Sequence, residues 1–144
     1  MVLLKNRYII ASISGRTGHV RNLTTKDIAV MLKRSVEVNF GEFGSAQASR
    51  TMKVCSYDQT SGVFVVRTSV DIYHMVRLCL TLLTGSSGMR ISVNVEALTG
   101  CRRSFKVAMM KAHAVGYARA GLSEKTASLL LKQKELEPED EMDR

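Results

Sequence analysis

A chain of 144 residues, 45% hydrophobic and 24% charged, has room for one compact domain; it is too short for two ordinary domains and too apolar for wholesale disorder. Lysine and arginine number 21 against 13 aspartate and glutamate, a formal charge of +8, which argues against a specialist in small neutral or cationic ligands and for a polyanionic partner. The charge is also uneven. Glu135, Glu137, Glu139, Asp140, Glu141 and Asp143 crowd the last ten residues, leaving 20 basic and 7 acidic residues in 1–134, a net +13. The sequence therefore divides into a single basic domain over 1–134 and an acidic tail over 135–144, predicted to be disordered because it has no apolar face to bury.

Cys55, Cys79 and Cys101 are an odd three, far apart and without C-x-x-C spacing, so they predict buried core thiols in a reducing compartment rather than disulfides or a zinc site. Lys5 and Arg7 interrupt the apolar N-terminus, and the longest apolar stretch, Met75 to Leu83, contains Arg77. Neither resembles a secretory signal or the run of about 18 to 20 apolar residues that crosses a bilayer, so the expectation is a soluble intracellular protein with no membrane role.

In chain order, Arg7 to Ser14 is β-rich and stops at Gly15, predicting a first strand followed by a basic loop with Arg16 and Arg21. Thr24 and Asp27 have capping-box spacing, and Ile28, Met31, Leu32 and Val36 follow at helical period; the Gly41 and Gly44 of FGEFG are expected to end this helix in a turn. Arg50 to Tyr57 alternates as a half-buried strand that includes Lys53, Asp58 to Gly62 is a turn, and Val63 to Thr68 is a strand apolar on both faces and therefore central. Ser69 is a candidate cap for a second helix with an Ile72 to Leu83 stripe, ended by Gly85 and the GSSG loop. Ile91, Val93, Val95 and Ala97 alternate as a fourth strand on one face, and helices follow over about 103–117 and 123–136.

This β-α-β-β-α-β order predicts an α+β, ferredoxin-like fold, the split βαβ unit with RRM-like order: a four-stranded antiparallel sheet, both helices on one face, plus additional C-terminal helices. Because the third strand is apolar on both sides, its second face needs a cover from a later helix, a protein partner or both; a single helix is expected to leave part of it open for a partner.

His19, His74 and His113 have no neighbour at metal-ligand spacing, and GSSG and FGEFG lack the lysine and context of a phosphate loop, so neither a catalytic constellation nor a metal site is expected. The basic residues remain. Arg102, Arg103 and Lys106 open the third helix, where free amides and guanidinium groups together suit phosphate. Lys5, Arg7 and Tyr8 form a second candidate group, and Arg16, Arg21, Lys53 and Arg67 are further candidate contacts. SGVFVVRT stands where RNA-recognition motifs carry stacking aromatics but has Val63 and Val65 there, so any RNA contact should be phosphate and shape readout.

MVLLKNRYII, VNFGEFGSA, YDQTSGVFVVRT, IYHMVRLCLTLLT and NVEALTGCRRSFK occur in an order that resembles the POP-five type protein subunits of ribonuclease P and ribonuclease MRP, over roughly residues 1–117. The resemblance implies a noncatalytic protein in a ribonucleoprotein whose RNA, with its own Mg2+, cleaves the 5′ leader from precursor tRNA, the MRP counterpart acting on precursor ribosomal RNA. It implies as partners the catalytic RNA, precursor tRNA and a TIM-barrel-like protein subunit, a nuclear and nucleolar location, and no cofactor on the protein itself. Lys5, Arg7 and Tyr8 match the family's N-terminal motif, Gly41 and Gly44 its turn after the first helix, Gly62 its hairpin, and Gly100 with Arg102 its junction into the third helix. Leu3, where a basic residue is usual, and Cys101, where threonine is usual, depart from it. A ferredoxin-like domain that binds a small regulatory metabolite, or a small autonomous nuclease, would share the fold. The first has no use for a net +13 body, and the second lacks convergent histidines or carboxylates in the sequence.

Overall fold

In the computed structural model, which describes residues 5–15, 22–86 and 88–136, the elements run β1 (Asn6–Gly15), α1 (Thr25–Thr51), β2 (Lys53–Asp58), β3 (Val63–Ser69), α2 (Tyr73–Thr81), β4 (Gly85–Ser86), β5 (Met89–Thr99), α3 (Arg102–Arg119) and α4 (Glu124–Leu136). The sheet is antiparallel, in the order β2-β3-β1-β5-β4. Four full strands carry it, as the α+β, ferredoxin-like expectation requires. β4 is a short strand on the edge of β5, pairing Gly85 with Arg90 and Ser86 with Met89.

β1 and β3 lie at the centre and are apolar on both faces. Ile9, Ala11, Ile13, Phe64 and Val66 turn towards α1 and α2, where they meet Ile28, Leu32, Val36, Val76, Cys79 and Leu80. Ile10, Val63 and Val65 turn the other way and pack with Phe105 and Ala112 of α3. Val63 and Val65 are 2% and 0% exposed, and burying each such side chain is worth about 1.5–3 kcal/mol. The apolar opening expected on the second face is therefore closed by the chain's own α3, whose Phe105, Ala108, Met109 and Ala112 recur at the three- and four-residue spacing that keeps one stripe on the sheet.

Local features match the sequence expectation at some positions and depart from it at others. The Thr24–Asp27 capping box forms, with each side chain bonded to the other's backbone amide. Gly41 does interrupt the helix, at φ 69° and ψ −168°, a conformation open essentially to glycine alone. The chain then re-enters helix as far as Thr51, so Gly44 is buried in a helical arm and is not a turn residue. Its missing side chain allows close approach: a Cβ there would stand 2.5 Å from the Phe40 Cβ and 3.4 Å from the Met75 sulfur. Arg50 and Thr51, expected in the second strand, belong to this arm, which the Met52 amide closes on the Ala48 carbonyl at 2.7 Å. Ser69 does not cap α2; it remains in the β3 ladder opposite Asn6, and Ile72 occupies the cap position without a side-chain bond.

The alternation along β5 breaks at Glu96. Ile10 pairs with Ala97 but Ala11 with Val95, so Glu96 is an extra residue in a bulge. Val93 and Val95 consequently pack on the α1/α2 side while Ala97, expected with them, packs on the α3 side. Of the three cysteines expected in the core, Cys79 is buried, Cys55 is half-buried in a second bulge, and Cys101 is exposed where α3 begins. Glu135, placed in the tail by composition, is the penultimate residue of α4; helical hydrogen bonding carries the element past the onset of acidic residues.

Gly62 fixes the β2–β3 hairpin. Its φ is +71°, its carbonyl accepts from the Ile13 amide at 2.8 Å, and a Cβ would lie 2.7 Å from the Ile13 carbonyl oxygen. Gly62→Ala is expected to destabilise the fold by about 2–3 kcal/mol, combining backbone strain with displacement of β1; the denaturant midpoint at constant m-value measures it.

Candidate nucleic-acid interface

α3 crosses the second face from one end of the sheet to the other, and its two ends carry opposite chemistry. At its N-terminal end, Phe105 packs on Tyr8 with ring centroids 5.3 Å apart. Tyr8 is opposite Arg67 on β3 and Thr99 on β5, and Arg67 is in turn opposite Lys53 on β2. Alternation places Lys53, Arg67 and Tyr8 on the α3 face, in one row across the sheet beside the first turn of α3. That turn supplies Arg102, Arg103 and Lys106, all exposed, and α3 carries no acidic residue along its whole length. Arg7 joins the same end by a different route. Its guanidinium lies against Gly100 at the β5–α3 junction, where a Cβ would meet Nη1 at 2.5 Å, so a side chain there would push the guanidinium aside.

The structure thus brings Lys53, Arg67, Tyr8, Arg7, Arg102, Arg103 and Lys106 to one end of the sheet, with exposed Lys5 just before β1. Arg16 and Arg21 lie outside the described residues, as does His19. Cationic side chains on a helix's first turn oppose its dipole, and the unsatisfied amides there add to the positive potential. At this turn the exposed Cys101 thiol is held below its ordinary value, chiefly by the backbone amides of Ser104 and Arg103. Lys111 was not among the residues singled out in the sequence. It extends the cationic face, standing eight residues after Arg103 with Val107 between, and both basic residues line a 680 Å³ groove between α3 and β5.

The far end of α3 is anchored by a polar network. The Asp58 carboxylate accepts from the Tyr117 hydroxyl at 2.8 Å, the Ser61 hydroxyl at 3.1 Å and the Thr60 amide at 2.9 Å, and stands 3.4 Å from His113 Nδ1. Ser61 Oγ is 2.8 Å from the same Nδ1. Burial disfavours the Asp58 charge, yet the bonds from His113, Thr60, Tyr117 and Ser61 outweigh it and hold the carboxyl well below the usual range. The Tyr57 phenol alongside is pushed up to about 12, first by burial and then by the Asp58 charge. Gly116 completes the anchor, for any Cβ there would overlap the Ser61 carbonyl.

Ser61, His113 and Asp58 are the residue types of a hydrolytic triad, but their arrangement differs from one. Serine and carboxylate both address Nδ1, while Nε2 is buried without a partner, so the ring cannot pass a proton from one to the other through opposite nitrogens. The geometry is that of a clamp between hairpin and helix.

With this arrangement in view, comparison with known proteins is specific. The Rpp14/Pop5 family model matches residues 7–110, from the start of β1 through the first half of α3. The chain belongs to the Rpp14/Pop5 family. It is 26% identical over 119 residues to a probable ribonuclease P/MRP protein subunit POP5 of Arabidopsis thaliana, covering 77% of this chain and 78% of that one. It is 24% identical over 112 residues to the Dictyostelium discoideum protein of the same description, covering 77% and 66%. A chain in the cryo-EM structure of yeast ribonuclease MRP shares the fold at a TM-score of 0.58 and 12% identity, over 77% of this chain and 93% of that one.

The family match ends at Met110, before His113 and Tyr117, so the clamp joins a hairpin inside the matched region to the part of α3 beyond it. Asp58 should therefore matter for stability in this Rpp14/Pop5 chain. Because its carboxyl is depressed in the folded state, its contribution is complete above the unfolded value near 4 and is lost as pH falls below that. Asp58→Asn is expected to cost about 1–3 kcal/mol at neutral pH and to flatten the acid limb of stability against pH. Chemical denaturation at a series of pH values checks both.

Proposed function

We propose that this Rpp14/Pop5 chain is a noncatalytic protein subunit of ribonuclease P or ribonuclease MRP that holds the particle's RNA by its phosphates. The observation that carries this reading is the convergence of cations from β1, β2, β3 and α3 on one end of the sheet, in a chain of the family whose members include POP5 subunits. The surface lacks a row of exposed aromatic rings: Val63 and Val65 are buried under α3, and Tyr8 is engaged with Phe105. Contacts to backbone phosphates and helical shape suit it better than base stacking.

Cleavage of precursor tRNA, and of precursor ribosomal RNA in the MRP form, is assigned to the RNA with its Mg2+. Mg2+ takes oxygen ligands, whereas the Lys53–Arg67–Tyr8 row and the first turn of α3 carry no carboxylate, and no cluster of three potential metal ligands occurs among the described residues. Nuclear and nucleolar placement follows from the same assignment. No described helix is long and apolar enough to cross a membrane.

Since α3 closes the second sheet face, the surface for the TIM-barrel-like partner is assigned to α1 and α2. Val38 and Phe43 are 76% and 77% exposed, with Leu78 on α2 and Leu82 at its C-cap half-exposed, and Val38 and Leu82 line one 510 Å³ groove. Such a patch on a free chain favours association.

Two outcomes test this assignment. Replacing Arg102, Arg103 and Lys106 together by alanine should weaken RNA binding and lower the salt slope by nearly one per lost contact, with the thermal midpoint almost unchanged. Filter binding across a salt series measures the first and calorimetry the second; an unaltered salt slope removes the cluster from the site. Phe43→Glu with Leu78→Glu should abolish capture of the TIM-barrel-like subunit while leaving RNA binding as it was.

A further inference from the structure

β1 lies along one edge of β5, and β4 covers the other edge only at its start, where Ser86 pairs with Met89 and Gly85 with Arg90. The Ile91 amide then donates to the Thr84 carbonyl at 3.1 Å. Strand alternation turns the main-chain N–H and C=O of Val93 and Val95 to that same side, and the extra residue at Glu96 shifts the phase so that Leu98 follows. Among the described residues these groups have no partner. A row of open donors and acceptors thus runs for about 17 Å along the sheet edge.

Beside this edge is the 680 Å³ groove between β5 and α3. On its helical wall Arg103, Val107 and Lys111 stand at four-residue intervals in one stripe, with Val107 53% exposed. Among the described residues, no carboxylate forms an ion pair with Arg103 or Lys111. Glu96, the acid in the groove lining, is already engaged: it accepts from the Ser12 hydroxyl at 2.6 Å and stands 3.8 Å from Arg119.

We propose that this edge takes an extended segment of a protein partner, which adds a strand to β5 and turns the side chains of an acid-x-apolar-x-acid pattern towards Arg103, Val107 and Lys111. The inference stands apart from the assignment of the cationic end to RNA and from the α1/α2 surface.

The chemistry of the edge selects a polypeptide. Its carbonyls need donors and its amides need acceptors, alternately and at strand spacing, whereas phosphates offer acceptors alone. The edge is also unprotected by sequence: between Ile91 and Thr99 there is no proline and no lysine, and Glu96 is the one charge. Spacing selects the pattern. Arg103 to Lys111 covers about 12 Å of helix, and positions i and i+4 of a strand, which share a face, are about 13 Å apart with i+2 between them opposite Val107. Charge selects a different chain over a second copy. α3 contains no acid, so pairing β5 with another β5 would set two acid-free cationic helices beside the same pair of strands, and β5 itself lacks the acid-x-apolar-x-acid pattern.

The probe is a peptide blocked at both ends, Thr-Thr-Glu-Thr-Val-Thr-Glu-Thr-Thr, titrated into the full chain. Binding is read by anisotropy of a labelled peptide, and amide exchange by NMR. Saturating peptide should slow exchange at Val93, Val95 and Leu98 about tenfold while the β1 amides stay as they were. Methylating one alternate set of peptide nitrogens should weaken binding about tenfold, the loss of two hydrogen bonds, and methylating the other set should leave it unchanged. Equal effects of the two sets, or none from either, overturn strand addition.

Arg103→Glu with Lys111→Glu should weaken binding about tenfold. A peptide with lysine in place of both glutamates should recover it, which also shows that the variant is folded; no recovery overturns the charge register. A shuffled peptide with adjacent glutamates that binds as well as the probe overturns the spacing. Without peptide, protection of the three amides that grows with protein concentration assigns the edge to a second copy and overturns the proposal. Protection of those amides by a structured RNA but not by the peptide assigns the edge to nucleic acid and overturns it equally, whereas loss of RNA binding alone leaves it standing.

Discussion

The central pair β1 and β3 is apolar on both faces, and every layer of the molecule answers that constraint. A sheet with one wet face would end its business at α2. Here Ile10, Val63 and Val65 need a second cover, and the cover must be long enough to run from Tyr8 at one end to Ser61 at the other. α3 meets that demand, and its course decides where its first-turn cations stand. The basic end of the molecule is thus a by-product of hydrophobic coverage: the same helix that buries two valines delivers two arginines and a lysine beside the open end of the sheet.

The two ends of α3 carry a cationic cluster and a polar anchor respectively. At the basic end the helix is held by an aromatic contact, Phe105 on Tyr8, which tolerates strong positive charge nearby. At the other end a half-buried aspartate is held by hydroxyl, amide and imidazole groups, and a glycine brings helix and hairpin into backbone contact. The Asp58 carboxylate stands at the opposite end of α3, so its charge does not neutralise Arg102, Arg103 and Lys106.

The order of elements was legible because each carries its own period: the Thr24–Asp27 cap, the doubly apolar VFVV run, and the Ile72 to Leu83 stripe act within a few residues. What escaped depends on contacts between distant residues. Gly44 carries the signature of a turn, and only the proximity of Phe40 and Met75 shows that it serves close packing inside a helix. The extra residue at Glu96 is defined by its partner strand, so alternation counted along one chain puts Ala97 on the wrong face. The Asp58–His113–Tyr117 clamp joins residues more than fifty positions apart and leaves no local pattern. The cationic site was readable as composition and as RRSFK, whereas its union with Lys53 and Arg67 came from strand register, and Lys111 could have been found by extending the Arg103 stripe two turns along the helix.

Gly116 has a mechanical consequence. With helix and hairpin backbones in contact at Ser61, and Phe105 seated on Tyr8 about 16 Å away along the helix axis, α3 is a strut fixed at two points rather than a helix free to roll. Displacing one end by a side chain's width tilts the other. The hairpin turn, at the end opposite the cationic cluster, thereby sets the angle at which the arginines are presented, and on the proposed RNA role changes at that remote end would act on affinity through alignment, leaving the number of phosphates engaged as it was.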